Sequence, residues 1–257
     1  MAGILQTRGL TKTFGAVTAA ADLDVDLAEH SVVGLIGGNG AGKTTFINLV
    51  TGYLKPTAGS IRFDGRDITA LGPRQVTRLG LCRSFQIPQL FDTLTAWENL
   101  LVGLGIVAHG TGAFKSALEG ERPQQAADDV LGRFRLEGWR DAAASVMPEG
   151  VRKLLDIAMA MVVKPRLLLL DEPTSGVSSE EKFALMDLVL SAIQAERTTV
   201  LFVEHDMEIV RRYTHRVLAF YEGRVIADGE PGVVLDDPDV RKYVVGLEAP
   251  RTGGAAC

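Results

Sequence analysis

Polar and apolar residues alternate strictly through Asp22, Leu23, Asp24, Val25, Asp26 and Leu27, and this period of two predicts a strand with one face buried. Residues 31–36 form a short apolar run that predicts a strand buried on both faces, followed by a glycine-rich loop and a helix over 44–50. Residues 60–63 and the Asp64-Gly65 pair predict a hairpin, because glycine tolerates the positive φ such turns need. An antiparallel sheet beside a parallel core is therefore expected. Between 87 and 165 the strand pattern stops, and 94–107, 123–134 and 150–163 carry helical spacing. Buried-type strands return at 167–170 and 198–203, separated by a helical stretch over 179–196. No internal repeat interrupts this order. The expected fold is one α/β domain over 1–247: segments 1–86 and 166–247 form a core with an antiparallel β-subdomain, and 87–165 form an inserted helical subdomain. The small, polar, Gly-rich tail, 248–257, is expected to be disordered.

Composition narrows the function. With 257 residues, 46% of them hydrophobic and 23% charged, the chain can bury the core of one compound domain. A formal charge of −5 argues against nucleic acid as a partner, since that affinity rests on clustered Lys and Arg. Cys82 and Cys257 are the two cysteines, too far apart in sequence to suggest a disulfide framework or a Cys-rich metal site. No signal-peptide pattern is present. The most apolar stretch, 99–114, is interrupted by Gly103, Gly105, His109, Gly110 and Gly112, so the chain is expected to be soluble and to owe any membrane role to partners.

Gly37-Gly38-Asn39-Gly40-Ala41-Gly42-Lys43-Thr44, with Thr45 next, satisfies the phosphate-loop pattern and has the buried strand before it and the helix after it that the pattern requires. The glycines let successive N–H groups turn inward around a triphosphate, while the following helix points its positive end at the same anion. Lys43 is expected to reach the β and γ phosphates, and Thr44 to offer its hydroxyl to Mg²⁺. The run 167–170 ends in Asp171-Glu172, so a buried strand delivers two carboxylates at its C-terminal end, where open parallel sheets place ligands. Asp171 is the expected Mg²⁺ carboxylate, and Glu172 the residue that orients and polarises the attacking water. ATP and Mg²⁺ are the expected cofactors of a P-loop NTPase.

The residues between and after these motifs resemble the ATP-binding cassette (ABC) family over nearly the whole chain. By that resemblance Phe14 is the aromatic that stacks adenine. Gln86, in Arg83-Ser84-Phe85-Gln86, joins core to helical insert, senses Mg²⁺ and water, and with Ile87 and the insert lies close to a membrane partner. His205, in Val203-Glu204-His205-Asp206, contacts the γ-phosphate. The expected catalytic set is Lys43, Glu172 and His205, and the metal set is Thr44, Gln86 and Asp171. His30, His109 and His215 match nothing in the family and are read as surface or packing residues.

Two segments depart from the family pattern. The Leu-Ser-Gly-Gly-Gln signature aligns with Met147, Pro148, Glu149, Gly150 and Val151, of which only the second glycine, Gly150, is kept. Pro148 has neither the serine hydroxyl nor an N–H to give the γ-phosphate held by the opposite subunit, and Glu149 brings negative charge to that side. The start of the next helix still offers its free N–H groups. Ser178 stands where the D-loop has Asp or Asn. Both departures lie in segments that act in trans, which implies a heterodimer with a better-equipped second ATP-binding subunit; the rival is a variant that hydrolyses normally as it stands. Finer matches, among them Ala96-Trp97-Glu98-Asn99-Leu100 and Val203-Glu204-His205-Asp206-Met207, resemble the ATP-binding subunits of branched-chain amino-acid importers. That likeness implies two permeases, a periplasmic binding protein engaged indirectly, and a peripheral place on the cytoplasmic face of the membrane. A lipid or lipopolysaccharide exporter ATPase, a soluble ABC ATPase and a scaffold are the competing readings.

Overall fold

A computed structural model describes residues 3–85, 88–108 and 121–246. The chain opens as an antiparallel ribbon, β1 (Leu5–Phe14) and β2 (Val17–Leu27), passes through β3 (Val32–Gly37) into helix α1 (Lys43–Val50), and returns as β4 (Ala58–Phe63) and β5 (Arg66–Asp67). These strands form a four-stranded antiparallel sheet in the order β2-β1-β4-β5, with β3 left out. The expected hairpin turns on Asp64 (φ 51°) and Gly65 (φ 72°), the double positive φ of a primed turn. The alternating strand runs further back than expected, to Val17, because β1 supplies its pairing partners.

After α2 (Pro73–Arg78) and β6 (Leu81–Arg83) the chain becomes helical: α3 (Ala96–Ala108), α4 (Glu121–Arg133) and α5 (Glu149–Met161). It then alternates through β7 (Leu167–Asp171), α6 (Glu181–Ala195), β8 (Thr199–Val203), α7 (Met207–Tyr213) and β9 (Arg216–Tyr221). The described chain closes with β10 (Arg224–Gly229), α8 (Pro231–Asp236) and the helical turns Pro238–Val240 and Arg241–Val245. The second sheet runs β10-β9-β3-β8-β7-β6, parallel except for β10. Its edge strand β6 and the β9–β10 hairpin lay outside the strand pattern read from sequence. The tail, with Cys257, lies outside the described residues, as do Gln86, Ile87 and His109.

Two cores explain the unbroken apolar runs. Val33, Leu35, Leu167, Leu169, Leu201 and Val203 face one core with α1 and the antiparallel sheet. Their neighbours Val32, Ile36, Leu168, Leu170, Val200 and Phe202 face the other core, with the helices. Each strand still alternates, but both faces are apolar because a layer covers each. Phe46 on α1 and Phe220 on β9 are fully buried with ring centroids 5.6 Å apart, and burial of each ring stabilises by about 2 kcal/mol. This contact fixes α1 against the sheet and so sets the direction of its N-terminus. Among the described residues no helix is long and apolar enough to cross a membrane.

Candidate functional site

β3 lies between β9 and β8, so the chain leaves the sheet at a point where strand order turns outward in both directions, and ligands collect at the strand C-termini there. The loop after β3 must turn sharply into α1. Gly40 and Gly42 have φ of 78° and 101°, and a Cβ on Gly42 would stand 2.5 Å from the Ala19 carbonyl oxygen. Only glycine meets both demands. A Cβ on Gly38 or Gly40 would meet nothing within 4 Å, so their bare backbone faces open space. Asn39, Gly40, Ala41, Gly42, Lys43, Thr44 and Thr45 line a cleft of about 530 Å³, whose far wall is Arg83, Asp171, Glu172 and His205.

Lys43 is buried and donates to the carbonyls of Gly37 (2.5 Å) and Gly38 (3.0 Å). Desolvation pulls its pKa down, while Glu172 and Asp171 pull it back up, so these carboxylates are the lysine's electrostatic counterpart across the cleft. Thr44 is exposed in the cleft. Asp171 ends β7 and accepts from Arg83 Nη2 at 2.5 Å, with the two side chains only 15% and 9% exposed. The same guanidinium donates through Nη1 to Asn48 at 2.7 Å and stacks on the Phe85 ring at 4.9 Å. Its Nε is buried without a hydrogen bond among the described residues.

Glu172 has φ of 49°, an uncommon conformation for a residue with a side chain. It is held by its N–H on the Val203 carbonyl (3.0 Å), and its Oε1 lies 3.0 Å from His205 Nε2. Strands β7 and β8 are therefore stitched together where the two residues emerge. Glu204, 4% exposed, braces the same corner: Oε1 accepts from the N–H and hydroxyl of Thr174 (3.0 and 2.7 Å), and Oε2 from the His205 N–H (3.1 Å).

Phe14 stands at the tip of the β1–β2 ribbon, 48% exposed, with Lys12 Nζ 5.2 Å above its ring. It is not part of the cleft wall, although Ala19 of the same ribbon is. Gln86 lies outside the described residues, but its flanks are defined. The N–H groups of Phe85 (3.1 Å) and Gln89 (3.0 Å) both donate to the carboxylate of Asp156 on α5. Burial pushes the Asp156 carboxyl up to about 6, against the downward pull of these hydrogen bonds and of Lys153.

The signature-like segment sits apart from this cleft; Met147, Pro148, Glu149, Gly150 and Val151 contribute nothing to its wall. Met147 is buried, Pro148 occupies the N-cap of α5 with no side-chain cap, and Pro148 and Glu149 are exposed. Val151 packs against the larger core, and a Cβ on Gly150 would meet nothing within 4 Å. The Glu149 carboxylate turns back onto the chain: a Cβ on Gly176 would stand 2.3 Å from its Oε1. Ser178 precedes α6, its hydroxyl accepting from the Glu181 N–H at 3.3 Å and donating to the Glu181 carboxylate at 2.9 Å. His215 Nδ1 accepts from the Val32 N–H at 3.2 Å and His30 Nδ1 lies 2.5 Å from the Arg197 carbonyl, both remote from the cleft.

Arg83, Lys153, Asp156 and Glu204 were not singled out as site residues from sequence. The available signal was a charge at a position whose neighbours are buried: Glu204 directly follows an all-buried strand, and Lys153 and Asp156 lie among Leu155, Ile157 and Ala158.

The family model described as ABC transporter matches residues 20–175. The chain is 35% identical over 249 residues to the high-affinity branched-chain amino acid transport ATP-binding protein BraF of Pseudomonas aeruginosa, covering 95% of this chain and 98% of BraF. It is 34% identical over 250 residues to LivG of Escherichia coli, with the same coverage. Among solved structures, the ADP conformation of MJ1267, an ATP-binding cassette of an ABC transporter, superposes with a TM-score of 0.84 at 30% identity, covering 94% of this chain and 98% of that one. The chain therefore belongs to the ABC transporter family and is one of its ATPase cassettes.

Proposed function

We propose that the chain powers an ABC importer for branched-chain amino acids or related small polar or amide substrates, from the cytoplasmic face of the membrane. The observation that carries the catalytic part is the convergence of Lys43, Thr44, Asp171, Glu172 and His205, from three separate segments, on one cleft. Lys43 already faces the loop and exchanges carbonyl acceptors for β and γ phosphate oxygens, a stronger charge-assisted contact. Thr44, Asp171 and Gln86 would hold Mg²⁺, which would supply charge neutralisation for phosphoryl transfer. A hydroxyl and one carboxylate suit this hard cation, which would need further oxygen ligands from outside the chain; no group of three His, Cys, Asp or Glu ligands exists among the described residues. Glu172 orients the water, His205 meets the γ-phosphate, and Phe14 covers the adenine. The importer assignment and the substrate class rest on the end-to-end similarity to BraF and LivG.

The cassette works as one of two, docked on two permeases that receive substrate from a periplasmic binding protein. Its partner cassette is a different chain. Pro148 and Glu149 cannot replace the hydroxyl donor of the family signature, so the site on this chain's own phosphate loop is the stronger one. Closure of the two cassettes on MgATP then shifts the permeases through the loop at Gln86 and Ile87 and through the helical block.

Affinity purification of the tagged chain from native membranes, with mass spectrometry of what copurifies, tests the assembly. Two permeases and a second, signature-intact cassette are expected. Permeases without a second cassette overturn the heterodimer, and soluble proteins alone overturn the transporter. In the recovered complex Lys43→Ala loses MgATP affinity by roughly 10- to 100-fold, the loss of one or two charge-assisted contacts. Glu172→Gln binds MgATP and stalls; normal turnover there removes Glu172 from its assigned role.

A further inference from the structure

Lys153 lies on α5, two residues beyond the signature-like segment, and is 4% exposed. A lysine at that depth needs specific acceptors. It has two on the loop that follows β7: Nζ donates to the Glu172 main-chain carbonyl at 3.1 Å and to the Ser175 hydroxyl at 2.6 Å. Glu149, four residues earlier on the same helix, lays its carboxylate over Gly176 of that loop. The first two turns of α5 and the segment from Glu172 to Gly176 are thus docked by two charged side chains at i, i+4 spacing, in the favourable order with the acid first. Burial pulls the Lys153 pKa down, while Glu149, Glu204, Glu172 and Asp156 pull it up.

We propose that Lys153 is a positioning residue for hydrolysis: its ammonium holds the backbone of Glu172 in its left-handed conformation and thereby sets the Glu172–His205 pair. Two facts make the backbone the point of control. Glu172 is at φ 49°, a conformation a residue with a side chain keeps only when its surroundings enforce it, and the Glu172 carbonyl also accepts from the Ser175 N–H at 3.1 Å. The direction of its carboxylate follows from that φ, and His205 Nε2 is 3.0 Å away. The same lysine links this corner to the helix that begins within the signature-like segment.

The inference rests on Glu172 as the water-positioning residue, and the test separates the two. In the complex recovered with the full-length chain, Lys153→Met, Lys153→Arg and Glu172→Gln are compared for kcat, KM for MgATP, equilibrium binding of a fluorescent ATP analogue, and Tm. Lys153→Met is expected to lower kcat at least tenfold, with KM and analogue affinity within about twofold of the parent. Lys153→Arg, which keeps charge and donors, is expected to restore most of kcat. A Lys153→Met variant with parental kcat, beside an inactive Glu172→Gln, overturns the inference alone. Full turnover by Glu172→Gln overturns the underlying reading and the inference with it. A loss in Lys153→Met that tracks a lowered Tm and weakened nucleotide binding, without rescue by arginine, assigns the lysine to the fold and overturns it too. If Lys153→Met does not fold, Ser175→Ala serves: it removes one of the two acceptors and is expected to lower kcat severalfold at unchanged KM, and parental kcat there counts against the inference.

Discussion

At Asp171 the strand delivers a carboxylate to the cleft and an arginine three residues before Gln86 receives it. Removing one member of a buried ion pair leaves the other charged without compensation, which costs about 3–5 kcal/mol. Arg83→Met should therefore lower the Tm of the nucleotide-free chain by roughly 6–12 °C, using about 2–4 °C per kcal/mol for a chain of this size and the lower part of that range. Calorimetry decides it, and a change under 2 °C would show that solvent already screens Asp171. Added MgATP should recover part of the loss, because the metal takes over the counter-charge. The residues of motifs were legible in advance, since phosphate-loop and strand-end carboxylate patterns are local in sequence. Arg83 was not, because its partners Asn48 and Asp171 lie 35 and 88 positions away.

At the scale of one element, α5 carries three separate duties: its start presents Pro148 and Glu149, its second turn holds Glu172 through Lys153, and its middle holds the Phe85 and Gln89 N–H groups through Asp156. Sequence spacing placed this helix at 150–163, and it runs from Glu149 to Met161, ending before Lys164 at φ 52° and Pro165. The apolar period found the helix but not the purpose of its buried charges. Asp156 supplies a pH test. Burial pushes its carboxyl up to about 6 from the ordinary 3.8, so between these pH values the folded state holds the extra proton. Stability is then highest below 3.8 on account of this group and falls as pH rises through 6, by about 3 kcal/mol at most for a shift near two units. Asp156→Asn should flatten that part of the curve in urea melts between pH 4 and 7. An unaltered slope would exclude Asp156 as its source.

Over the whole molecule, the proposed pairing of two cassettes predicts that cis and trans machinery are unequally equipped. The cleft holds Lys43, Thr44, Asp171, Glu172 and His205, whereas the outward-facing signature segment offers a proline and a glutamate that lies over Gly176. A Pro148→Ser substitution should raise ATP turnover by the assembled complex severalfold, because a hydroxyl donor to a transferring phosphoryl group is worth about 1–2 kcal/mol. Turnover unchanged by this substitution would favour a signature that works without the serine, and with it a symmetric pair.

The amino-acid sequence by itself determined the α/β class, the phosphate loop, the carboxylates at 171 and 172 and the helical block, because each is written in adjacent residues or in one period. Strand order, the β6 edge and the closing β9–β10 hairpin were decided only by packing, where both faces of a buried sheet are apolar and a run of leucines does not name its neighbours. So were the contacts made by Arg83, Lys153 and Glu204. A buried charge is stable only where partners distant in the chain meet it, and that meeting exists only in the folded molecule.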